Sequence, residues 1–152
     1  MKKLVIMGGL PGSGKSYIRS TILPTMPVVD CDEIKKSLPG YNPKNPATTH
    51  EQSKVVEKQK IYNYLAEGIS FVYDTTATNS DKVITMTKQA QALGYTVEMI
   101  YVKVSLATSL TRNANRERVV PESLIMDKYS KITSAMEIAE KFVDTFTVIE
   151  NN

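Results

Sequence analysis

Residues 9–16 read GLPGSGKS, and this stretch decides the fold. It matches the pattern G-x-x-x-x-G-K-[ST], in which the backbone N–H groups of a glycine-rich loop surround phosphate oxygens. An apolar run before it, residues 3–7 (KLVIM), predicts a strand that is buried on both faces. Residues 15–23 predict a helix that ends before Pro24. This strand–turn–helix context is the one in which the pattern forms a phosphate-binding loop.

Each position of the loop has an expected role in binding a nucleoside triphosphate. Lys15 is expected to reach the β- and γ-phosphates, and Ser16 to ligate Mg²⁺. The N-terminus of the following helix adds a favourable dipole for the phosphates. The residues expected to contact ATP through the loop are Gly9, Pro11, Gly12, Ser13, Gly14, Lys15 and Ser16. The alternative to a phosphate-binding loop is a glycine-rich turn with a solvated lysine. The strand predicted before the loop and the helix predicted after it disfavour that alternative.

Strand-like and helix-like segments alternate along the rest of the chain, which favours a parallel sheet. Further strands are predicted at 27–30, 70–74, 96–104 and 145–149, and helices at 33–38, 51–67, 81–93 and 106–115, with a loop at 39–50. Pro121 is expected at the first position of a last helix, Ser80 as a helix cap and Gly94 just past a helix end. Helix 51–67 is expected to bury a face near Val55, Tyr62, Leu65, Ala66 and Ile69. The sequence therefore predicts a three-layer α/β/α fold of the P-loop NTPase type, with a parallel five-stranded sheet in one domain over residues 1–152.

Composition narrows the class of protein. The chain has 152 residues, 41% of them hydrophobic and 23% charged, with a net charge of +3. These values are ordinary for a globular domain and too mildly basic for a dedicated nucleic-acid coat. One cysteine and one histidine exclude a disulfide framework and leave little for a zinc site. No stretch is long and apolar enough for a membrane span or a signal peptide, so we expect no membrane partner and a cytoplasmic protein.

Acidic side chains follow two of the predicted strands. Residues 30–33 read DCDE, and Asp32 and Lys35 lie about one helical turn apart, so a base and a cation share one helix face. Asp74 ends the strand at 70–74, where P-loop proteins hold the Mg²⁺ shell. The alternative is that these aspartates only cap the segments that follow them. Cys31, between two acids, is expected to have a raised thiol pKa, and His50 to lie at the surface without a partner.

Three arginines, Arg112, Arg116 and Arg118, form the densest cationic cluster. A helix would aim the first two at the same place, because they are four residues apart. Guanidinium groups suit the equatorial oxygens of a transferring phosphoryl group. We interpret residues 106–120 as a lid, although a solvated helix that pairs locally with Glu117 would have the same composition.

Together these elements resemble the kinase domain of phage-type polynucleotide 5′-hydroxyl kinases, within the wider P-loop kinase family that includes zeta-type toxins. The resemblance starts at residues 1–16 (MKKLVIMGGLPGSGKS) and continues through DEIK at 32–35 and DTTATN at 74–79. It is most specific over 110–129, where Arg112-Asn113 and Arg116 precede Val120-Pro121, two apolar residues and Tyr129.

The resemblance implies roles for individual residues. Asp32 would be the general base, Arg116 would stabilise the transferred phosphoryl group with Lys15, and Arg112 would support ATP. Lys35 would hold the acceptor, where the family has an arginine. Asp74 would be an active-site acid that contacts the acceptor and reaches the metal through water. The sequence has no D-x-D-x-T signature of a phosphatase, so no phosphatase domain is expected.

The leading hypothesis is an ATP- and Mg²⁺-dependent kinase that phosphorylates the 5′-hydroxyl ends of DNA or RNA. An alternative keeps the fold and changes the acceptor to a small hydroxyl compound, such as a sugar nucleotide, as in a toxin, or an antibiotic. A third possibility is a nucleotide-binding module without transfer activity, for which Asp32 and Arg116 would have no use. The lysines near helix 51–67 alternate with glutamates, which is typical of a solvated face rather than of a nucleic-acid groove.

Overall fold

The computed structural model describes residues 2–44, 49–116 and 119–152. Helices and strands alternate through these ranges. The strands are β1 (Lys3–Gly8), β2 (Val28–Asp30), β3 (Phe71–Asp74), β4 (Thr96–Lys103) and β5 (Thr145–Glu150). The helices are α1 (Lys15–Ile22), α2 (Cys31–Ser37), α3 (His50–Glu67), α4 (Ser80–Ala92), α5 (Leu106–Ala114) and α6 (Glu122–Phe142). None of these helices is long and apolar enough to span a bilayer.

The strands form one parallel sheet in the order β2-β3-β1-β4-β5. Strand β1 is central, with Leu4 beside Phe71 of β3 on one side and Val97 of β4 on the other. The chain leaves β1, crosses over β3 and enters the sheet again at the edge as β2. Because all strands point the same way, their carboxyl ends meet at one edge, which is where such sheets bind ligands. The predicted parallel five-stranded α/β sheet of a P-loop kinase-like fold is confirmed.

The two faces of the sheet are covered unequally. One face packs against α3, α4 and α6, through residues such as Ile61, Met86 and Met136. On the other face, α1 supplies Ile18 to a smaller cluster around Val5 and Val102. The buried side chains of β1 contribute to both clusters, which explains its continuous apolar run. The core therefore fixes β1 and the loop that follows it.

The expected inner face of α3 is wrong at Val55 and Tyr62, although Leu65 packs against the core as predicted. Val55 and Tyr62 are 70% and 67% exposed, and the buried residues of this helix are Ser53, Glu57 and Ile61. Glu57 accepts hydrogen bonds from the Tyr73 hydroxyl and from Lys82 Nζ at 2.8 Å. The buried stripe is largely polar because it covers these partners, so hydrophobic periodicity could not reveal it.

Several element ends differ from the predictions by one or two residues. Asn79, not Ser80, caps α4, since its side chain accepts a hydrogen bond from Lys82 N at 3.2 Å. Pro121 is the N-cap of α6 rather than its first residue. Helix α2 begins at Cys31 instead of residue 33, because Asp30 caps it. Gly94 follows the end of α4 with a φ of 87°, as predicted for that position.

Candidate active site

The loop between β1 and α1 has the backbone that its sequence predicts. Gly14, at the N-cap of α1, has a φ of 93°. A Cβ atom there would lie 2.4 Å from Asn151 Nδ2, and one on Gly9 would lie 2.6 Å from Val102 O. Side chains at these positions would clash and strain the backbone, so both need glycine. The loop is therefore shaped by close approach of the chain on both sides.

Lys15 lies inside the loop. Its Nζ donates to Gly9 O at 2.9 Å and to Leu10 O at 3.2 Å. Burial lowers the pKa of Lys15, while the negative charges of Asp74, Asp32 and Asp30 oppose that effect. The ammonium group thus lies within the field of three carboxylates, two at the ends of β2 and β3 and one in the first turn of α2.

Side chains distant in sequence hold the loop from outside. Ser109 Oγ donates to Pro11 O at 2.6 Å, and Asn151 Nδ2 donates to Ser13 O at 2.8 Å. Arg112 Nη1 lies 3.4 Å from both Gly12 O and Ser13 O. The sequence singled out Arg112 but missed Ser109 and Asn151, which nothing in the local pattern distinguishes.

The acids at the carboxyl edge form a compact group. Asp30 and Asp74 are neighbours in the register of β2 and β3. Asp30 Oδ1 accepts a hydrogen bond from Asp32 N at 2.8 Å and so caps α2. Burial, together with repulsion from Asp74 and Asp32, raises the pKa of Asp30 to about 6. Such a perturbation at the ligand-binding edge of a sheet is typical of a functional site.

Arg19 joins the two acids, and sequence reasoning missed it. Its Nη2 lies 3.1 Å from Asp30 Oδ2, and its Nε lies 3.3 Å from Asp74 Oδ2. Its position four residues after Lys15 was the available signal, because that spacing puts both side chains on one face of α1.

Asp32 and Lys35 lie on α2, beside the loop. Asp32 is in the first turn, half-buried, and its charge acts on Lys15. Lys35 is only 8% exposed, and within residues 2–44, 49–116 and 119–152 it has no ion pair. The stem of Lys35 is therefore packed against the protein, and its charge is available to an anion that binds beside α2.

His50 and Cys31 lie near Lys35. His50 is half-buried at the start of α3 rather than on the surface, and burial, Lys35 and Lys54 lower its pKa. Cys31 lies 3.2 Å from Ser53 Oγ, and its thiol pKa is raised, as predicted. The main cause is burial rather than the adjacent acids.

The arginine segment is arranged differently from the prediction. Helix α5 ends at Ala114, so Arg112 and Arg116 do not share a helical face. Arg116 Nη2 instead donates to Asn113 Oδ1 at 3.2 Å, and its charge contributes to the lowered pKa of Lys15. The buried Asn113 also bonds both the N–H and the C=O of Val120, at 3.0 and 2.7 Å. Arg118, the third arginine, lies outside the described residues.

The donors expected for Mg²⁺ suit that ion. Ser16 is exposed at the start of α1, and the Asp74 carboxylate ends β3, so one hydroxyl and one carboxylate face the same edge. No group of three metal-ligating side chains occurs in the part of the chain that the structure describes. Mg²⁺ commonly uses one or two protein oxygens together with phosphates and water, so a sparse hard-oxygen set fits it.

A cavity of about 530 Å³ opens at the same edge, between the start of α4 and α6. Asn79 and Asp81 line one side, and Asp127, Lys128 and Lys131 the other. Burial lowers the pKa of Lys128, Asp127 opposes that effect, and the charges of Lys131, Lys54 and Lys15 add to it. Because Asp127 pairs with Lys131 at 3.1 Å, Lys128 is left as the positive charge on this wall without an ion pair among the described residues.

Comparisons with known proteins agree with this geometry. A family model described as "Zeta toxin" matches residues 1–152. No curated protein is significantly similar in sequence. Among solved structures, the PezAT toxin–antitoxin system of Streptococcus pneumoniae matches with a TM-score of 0.79 and 12% identity, over 99% of this chain and 69% of that one.

Two further structures match over about half of their own length. The AvrRxo1-ORF1:-ORF2 complex with ATP gives a TM-score of 0.70 at 18% identity, over 92% of this chain and 48% of that one. The Pnkp1/Rnl/Hen1 RNA repair complex gives 0.65 at 19% identity, over 90% and 45%. The chain likewise spans about half the length of two other AvrRxo1-ORF1:ORF2 structures that it matches. At these identities the likeness establishes the fold.

Proposed function

The chain belongs to the Zeta toxin family, and from that premise we propose that it transfers the γ-phosphoryl group of ATP to a hydroxyl group deprotonated by Asp32. The observation that carries the proposal is the meeting of Asp32 and Lys15 at one edge of the sheet: burial lowers the pKa of Lys15, and the Asp32 carboxylate is close enough to oppose that effect. A nucleotide-binding module needs the lysine but has no use for the carboxylate. The kinase-like fold of the structural neighbours also supports a phosphotransferase.

The proposed reaction is an in-line displacement. Asp32 accepts the hydroxyl proton, the acceptor oxygen forms a bond to the γ-phosphorus, and the bond to the β–γ bridging oxygen breaks, with ADP leaving. Lys15 and Arg116 would balance charge on the transferring group, and Arg112 would support the triphosphate from the back of the loop. Ser16 and, through water, Asp74 would hold Mg²⁺, which supplies charge neutralisation at the β- and γ-oxygens when bound.

We propose further that the acceptor is anionic and compact, in the class of a sugar nucleotide. Lys35 supports this, because it is only 8% exposed, lies one turn from Asp32 and has no ion pair among the described residues. A second cation, Lys128, lines the 530 Å³ cavity between α4 and α6, and it lies near enough to Lys15 for the two charges to interact. The exposed Tyr62 lies about 18 Å along α3 from His50, too far away to stack a base at this opening.

A nucleic acid 5′-hydroxyl end is the second candidate. The spacing of Asp32 and Lys35 favours it, because the polynucleotide kinases have a base and a cation at this spacing, and the cation holds the acceptor phosphate. Both candidates share the chemistry of a hydroxyl next to a phosphate, and they differ in size.

The test is transfer from γ-labelled ATP with Mg²⁺ to two panels, sugar nucleotides and 5′-hydroxyl oligonucleotides. Asp32→Asn should lower kcat by about a hundredfold or more while the affinity for ATP changes less than about twofold. Glu33→Gln is the matched control, since Glu33 is the next carboxylate and its side chain is 61% exposed beside Lys36. Near-wild-type transfer by Asp32→Asn would refute the base assignment. Label on the oligonucleotide alone would refute the sugar-nucleotide proposal and support the nucleic acid 5′-hydroxyl end as the acceptor.

A further inference from the structure

We infer that Arg19 is a positioning residue for the proposed phosphotransfer, which fixes the Asp74 carboxylate for Mg²⁺ and the Asp30 cap on which Asp32 depends. The inference rests on the proposed function for its meaning, but its main measurement is nucleotide binding, which needs no acceptor. Nothing in the P-loop pattern itself requires an arginine at this position.

The geometry of Arg19 is that of a two-sided clamp. Its Nη2 meets Asp30 Oδ2 at 3.1 Å and its Nε meets Asp74 Oδ2 at 3.3 Å, so one edge of the guanidinium contacts carboxylates from two adjacent strands. The three side chains are 13%, 8% and 6% exposed. The guanidinium donates a hydrogen bond to Asp30 and forms an ion pair with Asp74 along the same edge, and a single ammonium group cannot reproduce both contacts in these directions.

The position of Arg19 links the three parts of the site. It lies on α1, one turn after the expected magnesium ligand Ser16, whose hydroxyl belongs to the same helix. Through Asp74 it contacts the end of β3, and through Asp30 it contacts the start of α2. Asp30 uses its other oxygen to accept from Asp32 N at 2.8 Å. Residues one contact away from a ligand commonly set its orientation, and their loss costs about 10- to 100-fold in metal affinity or activity.

A purely structural role for Arg19 makes a different prediction. If the arginine only neutralised two repelling acids, any change that removed the repulsion would restore the protein. If it positions Asp74, removing the Asp30 charge would restore stability but not the response to Mg²⁺. The two roles are therefore separable by combining variants.

The experiment measures binding of a fluorescent ATP analogue as a function of Mg²⁺, for wild type, Arg19→Lys, Arg19→Met and the double variant Arg19→Met/Asp30→Asn. We expect the Mg²⁺ concentration for half-maximal binding to rise about tenfold in both single variants. Binding in EDTA should stay within about twofold of wild type. Thermal unfolding reports whether each variant is folded. Lys36→Met, which removes an exposed ion pair at 3.5 Å on α2, is the matched control and should change none of these quantities.

The double variant decides between the two roles. Recovery of thermal stability with the Mg²⁺ response still weakened would support positioning. Recovery of both, or an unchanged Mg²⁺ response in folded Arg19→Lys, would overturn the inference. Failure of the proposed function has a separate signature, which is wild-type protein that binds Mg²⁺ and ATP normally and phosphorylates neither acceptor panel.

Discussion

Replacing Asp30 with asparagine should stabilise the folded protein at neutral pH. Burial and the nearby Asp74 and Asp32 raise the pKa of Asp30 from 3.8 to about 6. A carboxyl group whose pKa is higher in the folded than in the unfolded state favours folding below its unfolded pKa, and that contribution is lost as the pH rises through about 6. At about 1.4 kcal/mol for each pKa unit, the ionised Asp30 costs about 3 kcal/mol above pH 7.

Asparagine removes this cost and keeps the cap. Its side-chain oxygen can still accept from Asp32 N, the bond that Asp30 Oδ1 makes at 2.8 Å. The charge-assisted contact with Arg19 becomes weaker, which offsets part of the gain. We therefore expect about 2 kcal/mol of added stability at about pH 7.5, and less than about 1 kcal/mol at about pH 4, where wild-type Asp30 is protonated when folded.

The assay is urea unfolding of wild type and Asp30→Asn across that pH range, with the slope m compared between them. Asp127→Asn is the control, because Asp127 is 53% exposed and its pair with Lys131 at 3.1 Å is a surface ion pair. Its effect should stay below about 0.5 kcal/mol at every pH. Loss of stability in Asp30→Asn at pH 7.5, or a gain that does not depend on pH, would refute the electrostatic reasoning.

Two further predictions concern buried polar side chains. Burial alone would raise the pKa of Glu57, but hydrogen bonds from Lys82 and Tyr73 hold it below its ordinary value. Glu57→Gln should therefore cost about 2 kcal/mol of stability at pH 7, and this loss should shrink as the pH falls below about 4. Urea unfolding at both pH values measures the difference, and a loss that grows at low pH would contradict the prediction. Asn113→Ala should cost about 2–3 kcal/mol, because it removes the hydrogen-bond partner of the Val120 N–H and C=O. It should also lower kcat more than it changes ATP affinity, because it removes one hydrogen bond that orients Arg116. A kcat equal to that of wild type in a folded variant would contradict the link to Arg116.

The parts of the fold that could be predicted are those written in short-range patterns. Glycine spacing over residues 9–16 sets a loop that needs positive φ angles, and the apolar run at 3–7 is a strand buried on both faces. The inner face of α3 could not be predicted, because Glu57 is buried only by virtue of partners on β3 and α4. A polar residue with distant partners looks, in the sequence, like a solvated one.

The candidate site divides in the same way. The position of Asp32 and Asp74 at the carboxyl edge could be predicted, because they lie where strands end, and the ends of parallel strands meet. Asn151 contacts the loop across 138 residues and Ser109 across 98, and only the order of strands in the sheet brings them there. The arrangement of Arg116 was missed because α5 ends two residues before it. Helical spacing carries directional information only while the helix lasts.

The charge of Asp30 is not explained by capping alone. Asparagine caps helices about as well as aspartate, and here it would avoid the repulsion that raises the pKa of Asp30 to about 6. What the charge adds is a second anchor for Arg19, which also contacts Asp74. We therefore expect Asp30→Asn to stabilise the protein and to raise the Mg²⁺ concentration for half-maximal binding by about threefold. That result would show that the charge of Asp30 lowers stability but helps to orient the Asp74 carboxylate. If Asp30→Asn gains stability and keeps the wild-type Mg²⁺ response, the orienting role belongs to the contact of Arg19 with Asp74 alone.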